Sequence, residues 1–274
     1  NWTFSFAMDW ISQISFYYHQ LYNRINFVTG ATGQGKSTEV PKLYLYSLSM
    51  IFHRYDGKIL FSQPRISPTL DNAYRIAQTL GVVINDKKDN SDKYEEYYVQ
   101  YNFGNAKYSR DSNLFSYIRI VTDGSMIEAF KKNILMINQN GKSIWDIILV
   151  DESHEHNINM DLILSMMKFV LFHNQFIKLG IISATIEDDE PRYRNFYKDI
   201  QDFYENKLNY IDRRIDISPP GMTTQFKIDE YYNDKEPKDY NEAKFIAIEK
   251  TLYIVNKLSG EGNFKDEILV FSIG

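Results

Sequence analysis

Short apolar runs punctuate the chain at intervals set by longer, mixed segments. Ile25-Asn26-Phe27-Val28, Lys58-Ile59-Leu60, Ile118-Arg119-Ile120, Ile147-Ile148-Leu149-Val150 and Leu179-Gly180-Ile181 are too short for helices and nearly continuous in apolar character. Runs of that kind predict strands buried on both faces, as in a parallel sheet. Helical spacing marks other stretches. Phe4 to Tyr22 carries Trp10, Ile14, Tyr17, Tyr18 and Leu21 as a predicted core stripe, and Ser37 to Phe52 is a second helix in which Pro41 is expected to cause a local bend. Tyr97 to Tyr101, Phe226 to Tyr232 and Glu267 to Phe271 are further strand-like runs, and Ala243 to Leu258 is a further helix. Strands alternating with helix-length segments predict an α/β fold, a largely parallel central sheet flanked by helices, with the functional loops at the carboxyl ends of the strands.

One such loop carries the most specific chemistry. Gly30-Ala31-Thr32-Gly33-Gln34-Gly35-Lys36-Ser37-Thr38 follows a predicted strand, opens a predicted helix, and matches the phosphate-loop pattern G-x-x-x-x-G-K-S/T in full. Gly30, Thr32, Gly33, Gln34, Gly35, Lys36, Ser37 and Thr38 are the nucleotide-binding candidates: glycines let backbone amides approach phosphate oxygens, Lys36 reaches the β- and γ-phosphates, and the Ser37 hydroxyl suits Mg²⁺. A chance glycine-rich turn would not sit between those two elements.

A second element lies at Asp146-Ile147-Ile148-Leu149-Val150-Asp151-Glu152-Ser153-His154, where a buried strand ends in adjacent carboxylates. Asp151 is the metal-side residue, with Ser37, and Glu152 orients the water that attacks the γ-phosphate. An isolated acidic turn would be unremarkable. A phosphate loop upstream changes its meaning. The nearby His154, Glu155 and His156 lack the i, i+4 helical spacing of a zinc motif, and the chain has no cysteine, which argues against zinc.

Phe61-Ser62-Gln63-Pro64-Arg65, Val121-Thr122-Asp123-Gly124-Ser125 and Ile182-Ser183-Ala184-Thr185 each end a predicted strand. With the two nucleotide elements they resemble, in order, motifs I, Ia, Ib, II and III of superfamily 2 RNA helicases of the DExH type, with Asp151-Glu152-Ser153-His154 as the name-giving box. The resemblance is strongest to the poxvirus nucleoside triphosphatase II type and its relatives in other large DNA viruses. Gly35 to Leu43, Pro64-Arg65-Ile66, Asp151 to His156 and Ala184 to Asp189 carry it.

The resemblance implies a RecA-like P-loop NTPase domain that uses ATP or another NTP with Mg²⁺ and moves along RNA, 3′ to 5′. On matching positions it makes Lys36, Asp151, Glu152 and His154 catalytic, and makes Arg65, Thr122, Asp123 and Gly124 the contacts to the sugar-phosphate backbone. Ser183 and Thr185 would couple the nucleotide site to the strand. It also implies domain limits: a helical extension over 1–22, the first RecA-like domain over 23–217, a linker over 218–264, and the first strand of a second RecA-like domain over 265–274. The arginine-rich motif VI is absent from these residues, so weak or no hydrolysis by this chain alone is expected, and a non-catalytic RNA-binding or scaffold module of a viral assembly, or a DNA-directed translocase, stands as the alternative reading.

Composition narrows the picture a little. With 43% hydrophobic residues among 274 the chain can bury a substantial core, and a net charge of −5 excludes a uniformly basic nucleic-acid coat while leaving room for a local basic channel. No run is long enough to span a bilayer, and the expected location is soluble and intracellular, in a virion or infected-cell cytoplasm if the viral resemblance holds. Asp188 to Asp202 and Ser218-Pro219-Pro220-Gly221 read as the exit from the domain. Tyr101, Phe103, Lys107, Tyr108 and Arg110 could stack and charge-pair with a single strand, but 21 tyrosines make that signal weak.

Overall fold

The five apolar runs become five adjacent strands at the centre of one sheet in the computed structural model, which describes residues 10–30, 33, 35–84, 98–104, 106–108, 115–184, 189–202, 211–217 and 237–260. The strands are β1 (Ile25–Thr29), β2 (Lys58–Gln63), β3 (Val99–Phe103), β4 (Ala106–Tyr108), β5 (Tyr117–Thr122), β6 (Ile147–Val150), β7 (Lys178–Ser183) and β8 (Arg214–Asp216). Their order is β4-β3-β5-β2-β6-β7-β1-β8, and every pairing is parallel except β4 on β3. Seven parallel strands flanked by helices are the RecA-like α/β architecture.

Alternate side chains along each strand point to opposite faces, and both faces are covered. Phe27, Leu60, Ile148 and Ile181 pack on one side with Met126 and Phe130 of α4 (Asp123–Lys132) and Ile163, Met167 and Val170 of α5 (Ile158–His173). Val28, Phe61, Leu149 and Ile182 pack on the other with Val40, Leu43 and Tyr44 of α2 (Lys36–Tyr46) and Ala73 and Ile76 of α3 (Ile66–Leu80). Packing on that second face is tight around Gly180. A Cβ there would lie 2.6 Å from Leu149 Cδ2 and 3.1 Å from the Tyr44 hydroxyl.

The predicted helix after the phosphate loop continues through Pro41 without interruption, and its irregularity comes later, as the π-helical turn Ser47–Ile51. The first helix, α1 (Trp10–Tyr22), buries different residues from the expected stripe. Trp10 is 68% exposed and Ile14 and Tyr18 are also exposed; Phe16 and Gln20, one turn apart, are the buried pair. The reason is the docking partner: the Phe16 ring meets Tyr44 edge-on at 4.8 Å, and Tyr17 stacks on Tyr46.

Two other expectations change. Residues 189–202 are not an exit from the domain, because α6 (Glu190–Phe196) and the turn after it bury Tyr197 and Ile200 in the core before β8 joins the sheet edge beside β1. Tyr101 is buried and stacked on Phe103, so its ring is not offered to a base. The side chains of Lys107 and Tyr108, and all of Arg110, lie outside the described residues.

The chain divides into Asn1–Gln225, which holds the sheet, and Phe226–Gly274. In the second unit the described element is α7 (Tyr240–Gly260), begun by Asp239, whose carboxylate accepts from the Glu242 amide at 2.8 Å. The strand-like runs Phe226 to Tyr232 and Glu267 to Phe271 lie outside the described residues. Among the described residues no helix is long and apolar enough to cross a membrane.

Candidate active site

Parallel pairing brings the carboxyl ends of β5, β2, β6, β7 and β1 to one edge of the sheet, and the motif residues lie on the loops that leave it. The register sets neighbours directly: Thr29 pairs with Ser183, and Gln63 with Thr122. Ligands of open parallel sheets bind at this edge.

In the phosphate loop Gly33 and Gly35 have φ of 80° and 77°, left-handed values that favour glycine. Gly35 begins α2, and its carbonyl accepts from the amides of Thr38 at 3.0 Å and Glu39 at 2.7 Å. A Cβ on Gly35 would also press on Glu39 and Thr38, each at 3.3 Å. Lys36, the first helical residue, is 6% exposed and donates from Nζ to the Gly30 carbonyl at 2.6 Å. Burial pulls its pKa down, and the carboxylates of Glu152 and Asp151 oppose that pull. Ser37 and Thr38 follow on the same turn, and the Thr38 hydroxyl donates to Gly35 O at 3.1 Å. Thr32 and Gln34 lie outside the described residues.

Asp151, directly after β6, is 1% exposed. Its carboxylate accepts from the Gln63 amide nitrogen at 2.7 Å and from the Glu152 backbone amide at 2.9 Å. Burial pushes this carboxyl up to about 6, against the pull of the Ser37 hydroxyl and the Gln63 amide beside it. A hydroxyl and a carboxylate at one point form an oxygen donor pair of the sort a hard divalent cation takes, its remaining places going to phosphate and water. Among the described residues no group of three or more His, Cys, Asp or Glu could hold a metal by itself.

The short loop from Glu152 to Asn157 is the most connected part of the site. It is a 3₁₀ turn, Ser153–Glu155, bracketed by Glu152 at φ 52° and His156 at φ 44°. Left-handed conformations cost non-glycine residues roughly 1–3 kcal/mol each, so surrounding contacts must hold the loop. Four consecutive side chains supply them. His154 Nδ1 lies 3.4 Å from both Glu152 Oε2 and the Ser183 hydroxyl. Glu155 Oε1 pairs with Arg65 Nη2 at 3.1 Å, and His156 Nε2 meets Asp189 Oδ2 at 2.9 Å. Asn157 caps α5 by accepting from the Met160 amide at 2.8 Å and donates to Asp123 Oδ2 at 3.4 Å.

The residues expected to face a strand divide accordingly. Arg65 is 72% exposed in its side chain, Gly124 is exposed on the first turn of α4, and Thr122 is half-buried, its hydroxyl 3.1 Å from that of Ser125. Asp123 differs from expectation: it is 2% exposed and turned inward to Asn157, and burial raises its pKa. Its side chain supports the turn instead of facing outward. Thr185 lies outside the described residues. Sequence reasoning gave no individual role to Gln63 and Asp189, which it met only inside longer motifs, or to Asn157; each is a polar residue of ordinary type whose partner is 33 to 88 positions away.

No protein-family model matches the chain. Over 311 aligned positions it is 39% identical to a protein of Acanthamoeba polyphaga mimivirus that is provisionally named an ATP-dependent RNA helicase, an alignment covering 100% of this chain and 17% of that protein. Two further relatives are also helicases by name. ATP-dependent RNA helicase HrpA of Borreliella burgdorferi is 25% identical over 92% of this chain and 28% of its own length. A second mimivirus protein with the same provisional name is 28% identical over 64% of this chain and 22% of its own. The chain thus spans between 17% and 28% of the length of these relatives. All three bear the name of an ATP-dependent RNA helicase, and two of the three are viral.

Proposed function

We propose that this chain supplies the phosphate-binding and hydrolytic face of an ATP-dependent RNA helicase of the DExH type, which moves 3′ to 5′ on RNA. The observation that carries the reading is the convergence of Lys36, Ser37 and Asp151: a buried cation, a hydroxyl and a buried carboxylate beyond the ends of two strands with one strand between them. Nothing in a core requires that combination, and a nucleotide with Mg²⁺ accounts for each member.

Lys36 would reach from the Gly30 carbonyl to the β- and γ-phosphates. Ser37 and Asp151 would hold Mg²⁺, which when bound neutralises charge on the phosphates. Glu152, with its carboxylate partly exposed beside His154, would orient the attacking water. His154 and Ser183 would pass the state of that site to β7, and Arg65 with the Gly124 turn would hold the strand through its phosphates, without reading sequence.

The test is ATP hydrolysis by the longest natural form of this protein with and without single-stranded RNA, wild type beside Glu152→Gln. Hydrolysis that RNA stimulates and the variant loses, with nucleotide binding retained, is expected. RNA binding without hydrolysis in wild type would overturn the proposal.

A further inference from the structure

Of the four side chains by which the loop after β6 reaches other elements, three end on groups that are buried or nearly so: Ser183, Asp189 and Asp123. The fourth does not. Arg65 is the exposed partner of Glu155, and the pair spans 90 positions of sequence to join the turn after β2 to the loop after β6.

The Arg65 backbone is fixed while its guanidinium is not. Its carbonyl accepts from the Thr69 hydroxyl at 2.7 Å and the Thr69 amide at 3.3 Å, which anchors the start of α3. The guanidinium bonds the Glu155 carboxylate at the surface, where such a pair is weak enough for another anion to displace. The two non-bridging oxygens of a phosphodiester, like the two of a carboxylate, can take the guanidinium fork.

We propose that Glu155 is a built-in competitor for the strand: its carboxylate occupies the place on Arg65 that a phosphodiester of single-stranded RNA takes, so strand capture requires Glu155 to let go. This rests on the helicase reading and adds to it a positioning residue that sets strand affinity. Glu155 lies one position after His154, so the exchange at Arg65 also reaches the loop that carries Glu152.

The measurement is binding of a fluorescein-labelled oligouridylate to the protein across a salt series, for wild type, Glu155→Gln, Arg65→Ala and the double variant. Glu155→Gln keeps the shape and removes the competing charge, so affinity rises roughly two- to fivefold, the range that an exposed ion pair commands. Its salt dependence also steepens by about one ion, because Arg65 no longer exchanges one anion for another. In the Arg65→Ala background the same change has little effect. An equal rise in both backgrounds would reduce Glu155 to a distant repulsive charge and overturn the inference. An unchanged or weakened affinity in Glu155→Gln would overturn it as well, while leaving RNA-stimulated hydrolysis and the helicase reading intact. Failure of wild type to bind the strand at any salt would remove both.

Discussion

The Gln63 side-chain amide donates to the Asp151 carboxylate over 2.7 Å, tying the last residue of β2 to the first residue beyond β6. That bond orients the carboxylate and holds its pKa below where burial alone would set it. Gln63→Leu should therefore weaken Mg²⁺-nucleotide binding roughly 10- to 100-fold, as loss of a supporting bond to a metal ligand does elsewhere. In wild type, affinity should fall as pH drops through about 6, where Asp151 takes up a proton. The variant should lose affinity at a higher pH. A fluorescent-nucleotide titration across pH measures both, and identical profiles would refute the role given to Gln63.

Lys36→Ala removes the ammonium that donates to the Gly30 carbonyl and that the proposed site turns to the phosphates. Turnover should fall roughly 100-fold or more, with weakened nucleotide binding. Steady-state hydrolysis paired with calorimetric binding separates this variant from Glu152→Gln, which binds but does not turn over.

His154 and Ser183 join the loop after β6 to the end of β7 at 3.4 Å. Alanine at either position should lower the stimulation of hydrolysis by RNA while sparing nucleotide affinity. Combining them should do no further harm, giving a coupling of about 0.5 kcal/mol or more in a double-mutant cycle on the stimulated rate. Additive losses would mean that the two residues act separately.

At the opposite end of β7, Lys178 is 9% exposed, with its ammonium bonded to the Gln20 carbonyl of α1 and 5.2 Å from the Phe52 ring. Burial pulls its pKa down to about 7 from 10.5. Between those values the unfolded chain holds a proton that the folded chain has released, so stability rises with pH across that window. The slope is at most about 1.4 kcal/mol per pH unit. Lys178→Met should abolish that increment, which urea unfolding at a series of pH values from 7 to 10 would show. A variant with the slope of wild type would contradict it.

Gly180→Ala places a methyl group 2.6 Å from Leu149 Cδ2 in the middle of the sheet. Overpacking of this kind costs about 1–3 kcal/mol. Chemical denaturation should show that loss; an unchanged midpoint would mean that β6 and α2 give way more easily than their burial implies.

The central strands were legible because strands buried on both faces carry apolar runs with little interruption, and each run ended in a residue of unusual chemistry. The helices were less so. α5 is apolar on nearly every face, with Leu162, Phe169 and Phe172 exposed beside the buried Ile163 and Val170, so periodicity has nothing to grip. In α1 the buried face passes through Gln20, a polar residue that no hydrophobic stripe includes. Of the candidate site, Lys36 stood out by motif spacing, and Asp151 and Glu152 by following a strand in a chain that carries a phosphate loop. The bonds from Gln63 to Asp151 and from Arg65 to Glu155 were not, because each joins residues about 90 positions apart and depends on which strands become neighbours.

The strand order β6-β7-β1 has a metric consequence. One strand separates the end that leads to the phosphate loop from the end that bears the carboxylate pair, and strands lie about 4.8 Å apart, so those ends stand roughly 10 Å from each other. Ser183 stands at the tip of the strand between them, in register with Thr29 of β1, and His154 reaches it from the carboxylate side. The two loops are thus joined across the middle strand by a backbone pairing and a side-chain contact.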